Sequence, residues 1–114
     1  PETCRTLALQ GAEVVAHPSN LVMPYCQKAM VTRCIENRIY AVTANRVGNE
    51  KRGDDDFTFT GASQITAING NILSSAPKDK EHICIIEIDE KFARNKNINE
   101  YNNVLNDRRP DLYI

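Results

Sequence analysis

The spacing of apolar positions changes several times along the chain, and each change marks an element. In residues 2–10, Cys4, Leu7 and Ala8 share one face at helical spacing. Glu2 stands in the first turn, where the helix dipole favours a carboxylate, and Gly11 follows as a C′ residue. Residues 13–16 read as a short apolar strand, ended by the polar loop His17-Pro18-Ser19-Asn20. Pro24 suits the first position of a second helix running to about Arg38. Met30, Val31, Cys34 and Ile35 form its apolar stripe, with Gln27 and Lys28 off it. Residues 39–45 are rich in β-branched side chains and read as a strand.

Residues 47–56 are polar and read as an exposed loop. Its Asp54-Asp55-Asp56 run lacks the spaced ligands of a calcium loop. Phe57 and Phe59 alternate with Thr58 and Thr60 at strand period. Residues 63–68 and 71–75 flank Asn69-Gly70, a hairpin signal in which both turn positions take positive φ. Residues 77–81 form a charged turn. Residues 82–88, with Ile83, Cys84, Ile85 and Ile86, read as a strand covered on both faces. From Asp89 apolar anchors thin out to one helical turn around Glu90–Arg94, then an extended segment to Tyr113. The order is that of an α/β or α+β fold with helices packed on one β-sheet. No repeat or linker divides the chain, so residues 1–114 form a single unit with 89–114 as an extended C-terminal tail.

Fourteen Lys and Arg stand against fifteen Asp and Glu, a net charge of −1 that argues against a nucleic-acid surface built on bulk charge. The longest apolar runs have four residues, such as 83–86, where a membrane helix needs about twenty. No signal-peptide pattern opens the sequence at Pro1-Glu2-Thr3. The four cysteines form no C-x-x-C pair, and Cys26 and Cys34 lie about two helical turns apart, too far to bridge. The expectation is a cytoplasmic protein with four reduced, mostly buried thiols. His17 and His82 are isolated in sequence, without Cys or acidic partners at the spacing of a zinc site, and no metal or organic cofactor is expected.

Several segments together resemble one family. They are Pro1-Glu2-x-x-Arg5-x-Leu7-Ala8-x-x-Gly11-Ala12-Glu13, then Pro18-Ser19-Asn20 with Pro24-Tyr25, then Arg33-x-x-Glu36-Asn37. Ala44-Asn45-Arg46-Val47-Gly48-x-Glu50, Phe59-x-Gly61-x-Ser63, Asn69-Gly70 and Asp107-Arg108-Arg109-Pro110-x-Leu112-Tyr113 follow. Each is weak alone; in this order they resemble the nitrilase, or carbon–nitrogen hydrolase, superfamily from end to end. The resemblance covers the C-terminal half of that family's domain. It implies half of a four-layer αββα sandwich, with one helix layer and one sheet supplied here.

The family hydrolyses nitriles, amides or carbamoyl groups with a Glu–Lys–Cys triad of general base, oxyanion stabiliser and nucleophile. The nucleophile belongs to a Cys-x-Asp-x-x-Phe-Pro-Glu pattern whose last two residues match Pro1-Glu2, which implies a cysteine ahead of Pro1. No catalytic residue is therefore expected within the chain, and Cys4 reads as a small core residue. The resemblance puts Glu2, Ser19 and Asn20 near the substrate pocket. Arg5, Arg33, Glu36, Asn45 and Arg46 read as structural support, and Gly61 as a point of close backbone approach. The implied partners are the missing N-terminal half or a homologous chain, in a homo-oligomer acting on a small molecule, with no nucleic acid and no membrane. The first reading is a C-terminal fragment of a carbon–nitrogen hydrolase, inactive alone. The alternative is a non-catalytic half-domain that pairs with another chain through residues 97–113.

Overall fold

The computed structural model describes residues 1–113. Helix α1 spans Glu2–Leu9 and leads into strand β1, Val14–Ser19. Helix α2 spans Cys26–Asn37 and leads into β2, Tyr40–Asn45. Strands β3 (Asn49–Arg52) and β4 (Asp55–Thr58) form a separate antiparallel hairpin. Strands β5 (Gln64–Thr66) and β6 (Ile72–Ser75) complete a four-stranded sheet of order β1-β2-β5-β6. Helix α3 spans Lys91–Arg94, and a 3₁₀ turn covers Pro110–Leu112. The β1–β2 pair is parallel, from Val14 opposite Tyr40 to Ser19 opposite Asn45; β5 and β6 add antiparallel. This is a mixed α/β arrangement. Its shortest extent, 19 Å, fits one helix layer on one sheet.

The two faces of the sheet differ. Alternation along β2 turns Ala41, Thr43 and Asn45 toward α2, and Gln64 and Thr66 of β5 join them in burial. The Cys34 thiol reaches the Thr66 carbonyl, and the Gln64 amide donates to the Gln27 carbonyl, so α2 lies across β2 and β5. Met30, Cys34 and Ala41 form the central cluster, with Cys4 of α1 packed against it. On the opposite face, Tyr40 is buried under Ala93 of α3. Farther along the same strand Val42 is 36% exposed, and Val14 and Ala44 are open to solvent. The covering layer on that face ends after one residue of β2.

Several elements depart from the sequence reading, each for a local reason. β1 continues through His17, Pro18 and Ser19 in place of the expected loop. It is an edge strand, where a proline need not donate to a ladder. α2 starts after Tyr25, so Pro24 lies in the turn before the helix. Residues 47–56 are largely the β3–β4 hairpin and not a loop, with Asn49 bridging to Thr58 and Phe57. The Asn69-Gly70 hairpin forms, but through a longer turn. Gly70 N–H closes on the Ala67 carbonyl, Ala67 N–H on the Asn71 carbonyl, and only Gly70 takes positive φ, at +84°.

The largest departure is residues 82–88. They form no strand, and Ile83 and Ile85 are 89% and 91% exposed where coverage on both faces was expected. An apolar segment forms a ladder only where an edge and a facing layer are available. Beyond α3 the chain does not run extended. Asn95, Asn99 and Asn103 side chains each cap backbone N–H groups two or three residues on, and Asn97 bridges to Asn103, whose Nδ2 donates to the Asn97 Oδ1. Three cation-bearing side chains fasten this segment to the sheet and α2. Arg94 pairs with Glu13, Lys96 donates to the Asn37 and Arg38 carbonyls, and Arg38 donates to the Asn95 carbonyl.

Candidate functional site

The C-terminal ends of the parallel strands β1 and β2 come together with three loops, the position at which α/β sheets hold ligands. Asn45, the last residue of β2, organises this end. Its Oδ1 accepts the Leu21 N–H at 2.7 Å, and its Nδ2 donates to Thr60 Oγ1 at 2.9 Å and to the Gly61 carbonyl at 2.7 Å. Its backbone N–H and carbonyl both engage the Ser63 hydroxyl. One buried amide thus ties the loop after β1 to the loop before β5. Thr60 closes the circuit, because its N–H and its hydroxyl both donate to the Leu21 carbonyl. Gln27 joins from α2, donating to Thr60 Oγ1 and the Gly61 carbonyl.

Gly61 sits at φ +54°, and a Cβ there would lie 2.0 Å from the Lys78 carbonyl oxygen. Backbone approach this close admits only glycine. Ala62 follows at φ +50°, a strained value for a residue with a Cβ, and its N–H donates to the Pro77 carbonyl.

Ser19 and Asn20 lie together at the end of β1. The Ser19 hydroxyl donates back to the His17 carbonyl, and the Ser19 carbonyl accepts the Arg46 N–H. Asn20 is exposed on the wall of a cavity of about 410 Å³ between this loop and the β3–β4 hairpin. Arg46 lines the same cavity, stacked 4.4 Å from the Phe59 ring centroid and paired with Glu50 at 2.6 Å.

Glu2 stands apart from this group. Its own backbone N–H, then the Pro1 amino group, hold its carboxyl below the usual range, and no hydrogen bond joins it to Ser19 or Asn20 among the described residues. Arg5 forms no ion pair with Glu2. It donates to the Glu36 carbonyl at 3.0 Å, tying α1 to the last turn of α2. Arg33 and Glu36 pair at 2.7 Å along α2, and Asn37 Nδ2 donates to the Arg33 carbonyl. These residues serve helix packing and lie away from the strand ends. Gln27 and Thr60 were not singled out from the sequence. The one signal for Thr60 is its place directly before the Gly61 motif; Gln27 carries none, since an amide off the apolar stripe reads as solvated.

The thiols are less buried than composition implied. Cys34 is buried, Cys4 and Cys26 are half-buried, and Cys84 is exposed. Burial, with the Cys4 sulfur adding a smaller effect, pushes the Cys34 thiol up to about 12, which removes it as a nucleophile near neutral pH. Among the described residues no group of three His, Cys, Asp or Glu could hold a metal ion, and no helix is long and apolar enough to cross a membrane.

Comparison with known proteins accounts for this arrangement. The carbon–nitrogen hydrolase family profile matches residues 1–96. A nitrilase of Pyrococcus abyssi is 49% identical over 114 residues, 100% of this chain and 42% of its own length. An (R)-stereoselective amidase of a Pseudomonas species is 38% identical over 99 residues, 82% of this chain and 35% of its own. The crystal structure of a carbon–nitrogen hydrolase from Helicobacter pylori superposes with TM-score 0.75 at 27% identity, over 99% of this chain and 43% of that one. The chain thus spans less than half the length of each relative. It belongs to the carbon–nitrogen hydrolase family of amidase- and nitrilase-like enzymes.

Proposed function

We propose that this chain is the C-terminal part of a carbon–nitrogen hydrolase domain and is not catalytic alone. The complete domain would hydrolyse a non-peptide C–N bond of a small amide, carbamoyl or nitrile compound, in the cytoplasm and as a homo-oligomer. The observation that carries this reading is the open face of the sheet. Val14, Val42 and Ala44 lie bare there, on a chain matched over its whole length by 42% of a nitrilase. Soluble monomers rarely leave a broad apolar face uncovered, and a second sheet laid on it would complete an αββα sandwich.

On this reading a cysteine ahead of Glu2 attacks the substrate carbon, ammonia or an amine leaves (from a nitrile only after the thioimidate has taken up one water), and water hydrolyses the thioester. A glutamate base and a lysine at the oxyanion also come from outside this chain. The chain contributes a pocket wall at Ser19 and Asn20, held by the Asn45 circuit, and the α1 turn, held by Arg5 on Glu36. The test is ammonia or amine release from a panel of small amides, carbamoyl compounds and nitriles. Turnover should appear only when the chain is co-expressed with the upstream part of the domain. Turnover by the chain alone that disappears on changing one of its four cysteines to alanine sinks the reading.

A second reading rests on the exposed Ile98, Tyr101, Leu112 and Tyr113. These side chains would let the chain pair with a full-length relative as an interaction subunit. Deleting residues 97–113 should then abolish co-purification with that relative.

A further inference from the structure

We propose that Arg46 and Arg52 form a binding site for a small monocarboxylate with an apolar body, a slot that the chain's own Glu50 now fills. Glu50 bridges the two guanidinium groups. Its Oε2 lies 2.6 Å from Arg46 Nη1 and its Oε1 lies 3.4 Å from Arg52 Nη2. Guanidinium forks are the groups by which proteins recognise carboxylate ligands, and here each makes a single contact with Glu50. Each fork has five donors, and each gives only one of them to Glu50. Among the described residues neither guanidinium has another acceptor, so the rest are available to an incoming anion.

The surroundings define the body of that ligand. Arg46 is fixed by stacking on Phe59, and Phe57 stands in the same wall. The cavity of about 410 Å³ that they line, with Asn20 at its other side, has room for an aryl or branched aliphatic group. Asp55 also lines it and repels every added negative charge, a cost greater for a dicarboxylate than for a monocarboxylate. A ligand must replace the Arg46–Glu50 contact, while the Arg52 side of the bridge opens readily. Arg52 is 87% exposed, and solvent-facing pairs of this kind add little to stability. The backbone of Arg46 already holds the loops together through Ser19 and Gly61, so its side chain can change partners without releasing them. The site uses only groups of this chain and stands whether or not the chain is part of a hydrolase.

The test is a titration of the 114-residue chain with phenylacetate, followed by amide chemical shifts. Saturable shifts should appear in residues 46–58. Phenylacetamide and phenethylamine, which share the ring but lack the carboxylate, should give much weaker responses, and succinate should bind less well than phenylacetate. Glu50→Gln removes the internal competitor and should tighten phenylacetate binding about fivefold; Arg46→Gln or Arg52→Gln should weaken it about as much. Dispersed amide shifts in residues 49–58 check that each variant keeps its hairpin. If Glu50→Gln loses the hairpin, Arg52→Gln carries the test, because among the described residues its side chain bonds only to Glu50. The proposal is overturned by no saturable response in the unaltered chain, by an equal response to phenylacetamide, or by binding unchanged in Arg52→Gln. Weaker binding in a Glu50→Gln chain with an intact hairpin overturns it equally.

Discussion

β2 and residues 82–88 carry similar apolar content and have opposite fates. β2 lies between β1 and β5, with α2 on one face, and Ala41, Thr43 and Asn45 are buried. Residues 82–88 hold four isoleucines yet pair with no strand. Their attachments are the Ser74 hydroxyl on the Cys84 sulfur and Ile88 beside the Tyr40–Ala93 cluster. Hydrophobicity sets what a segment could bury. A vacant edge and a covering layer decide whether it does. β2 makes the same point within one strand, since Thr43 is shielded by α2 while Val42 next to it faces solvent.

The first way to break this contrast is at the well-packed end. Gly61→Ala adds a Cβ 2.0 Å from the Lys78 carbonyl in a left-handed conformation. The loop must shift, and the Asn45 and Gln27 bonds to the Gly61 carbonyl shift with it. A loss of about 4 kcal/mol is expected in urea unfolding. A loss below about 1 kcal/mol would mean that the loop is free to move. Asn45→Ala comes next, because it strands the Leu21 N–H and leaves the Gly61 carbonyl to Gln27 alone. A cost of about 3 kcal/mol is expected, with faster hydrogen exchange at Leu21.

That circuit marks the limit of what the sequence shows. Helices α1 and α2 and strands β1, β2, β5 and β6 were legible because apolar spacing and the Asn69-Gly70 signal are local. Of the β3–β4 hairpin only Phe57 and Thr58 were legible, at strand period; residues 49–56 carry charges on both sides of the ribbon, and charge reads as loop. Asn45, Arg46 and Ser19 could be singled out as residues at strand ends. Their joining through Thr60 and Gln27 could not be, because those bonds span 15 to 39 positions of sequence and depend on the loop conformation at Gly61. Arg5 reads from the sequence as structural support, but its partner, the Glu36 carbonyl 31 residues on, is set by the packing of α1 on α2.

Alkaline pH probes the covered face with a smaller effect. The buried Cys34 thiol is raised to about 12 from an ordinary 9.0. The folded state therefore keeps its proton where the unfolded chain loses it. This contribution is fully present below pH 9 and is lost as pH rises toward 12. Stability should fall by about 1 kcal/mol per pH unit above 9. Cys34→Ala should flatten that slope in urea midpoints taken at pH 7, 9 and 10. An unchanged slope would assign the alkaline loss to other groups.

The smallest effects sharpen the comparison most directly. Ile39, directly before β2, is fully buried, and Ile85 is 91% exposed. Removing one methyl by Ile39→Val should cost about 1 kcal/mol. The same change at Ile85 should leave the urea midpoint unmoved, because the methyl is already in water. If the proposed domain is completed by its other half, Ile85→Val should acquire a cost approaching that of Ile39→Val, since a covering layer turns solvent contact into packing. A midpoint for Ile85→Val that stays level with the unaltered chain in the completed domain would show that residues 82–88 remain outside its core, and that the open face of the sheet is covered without them.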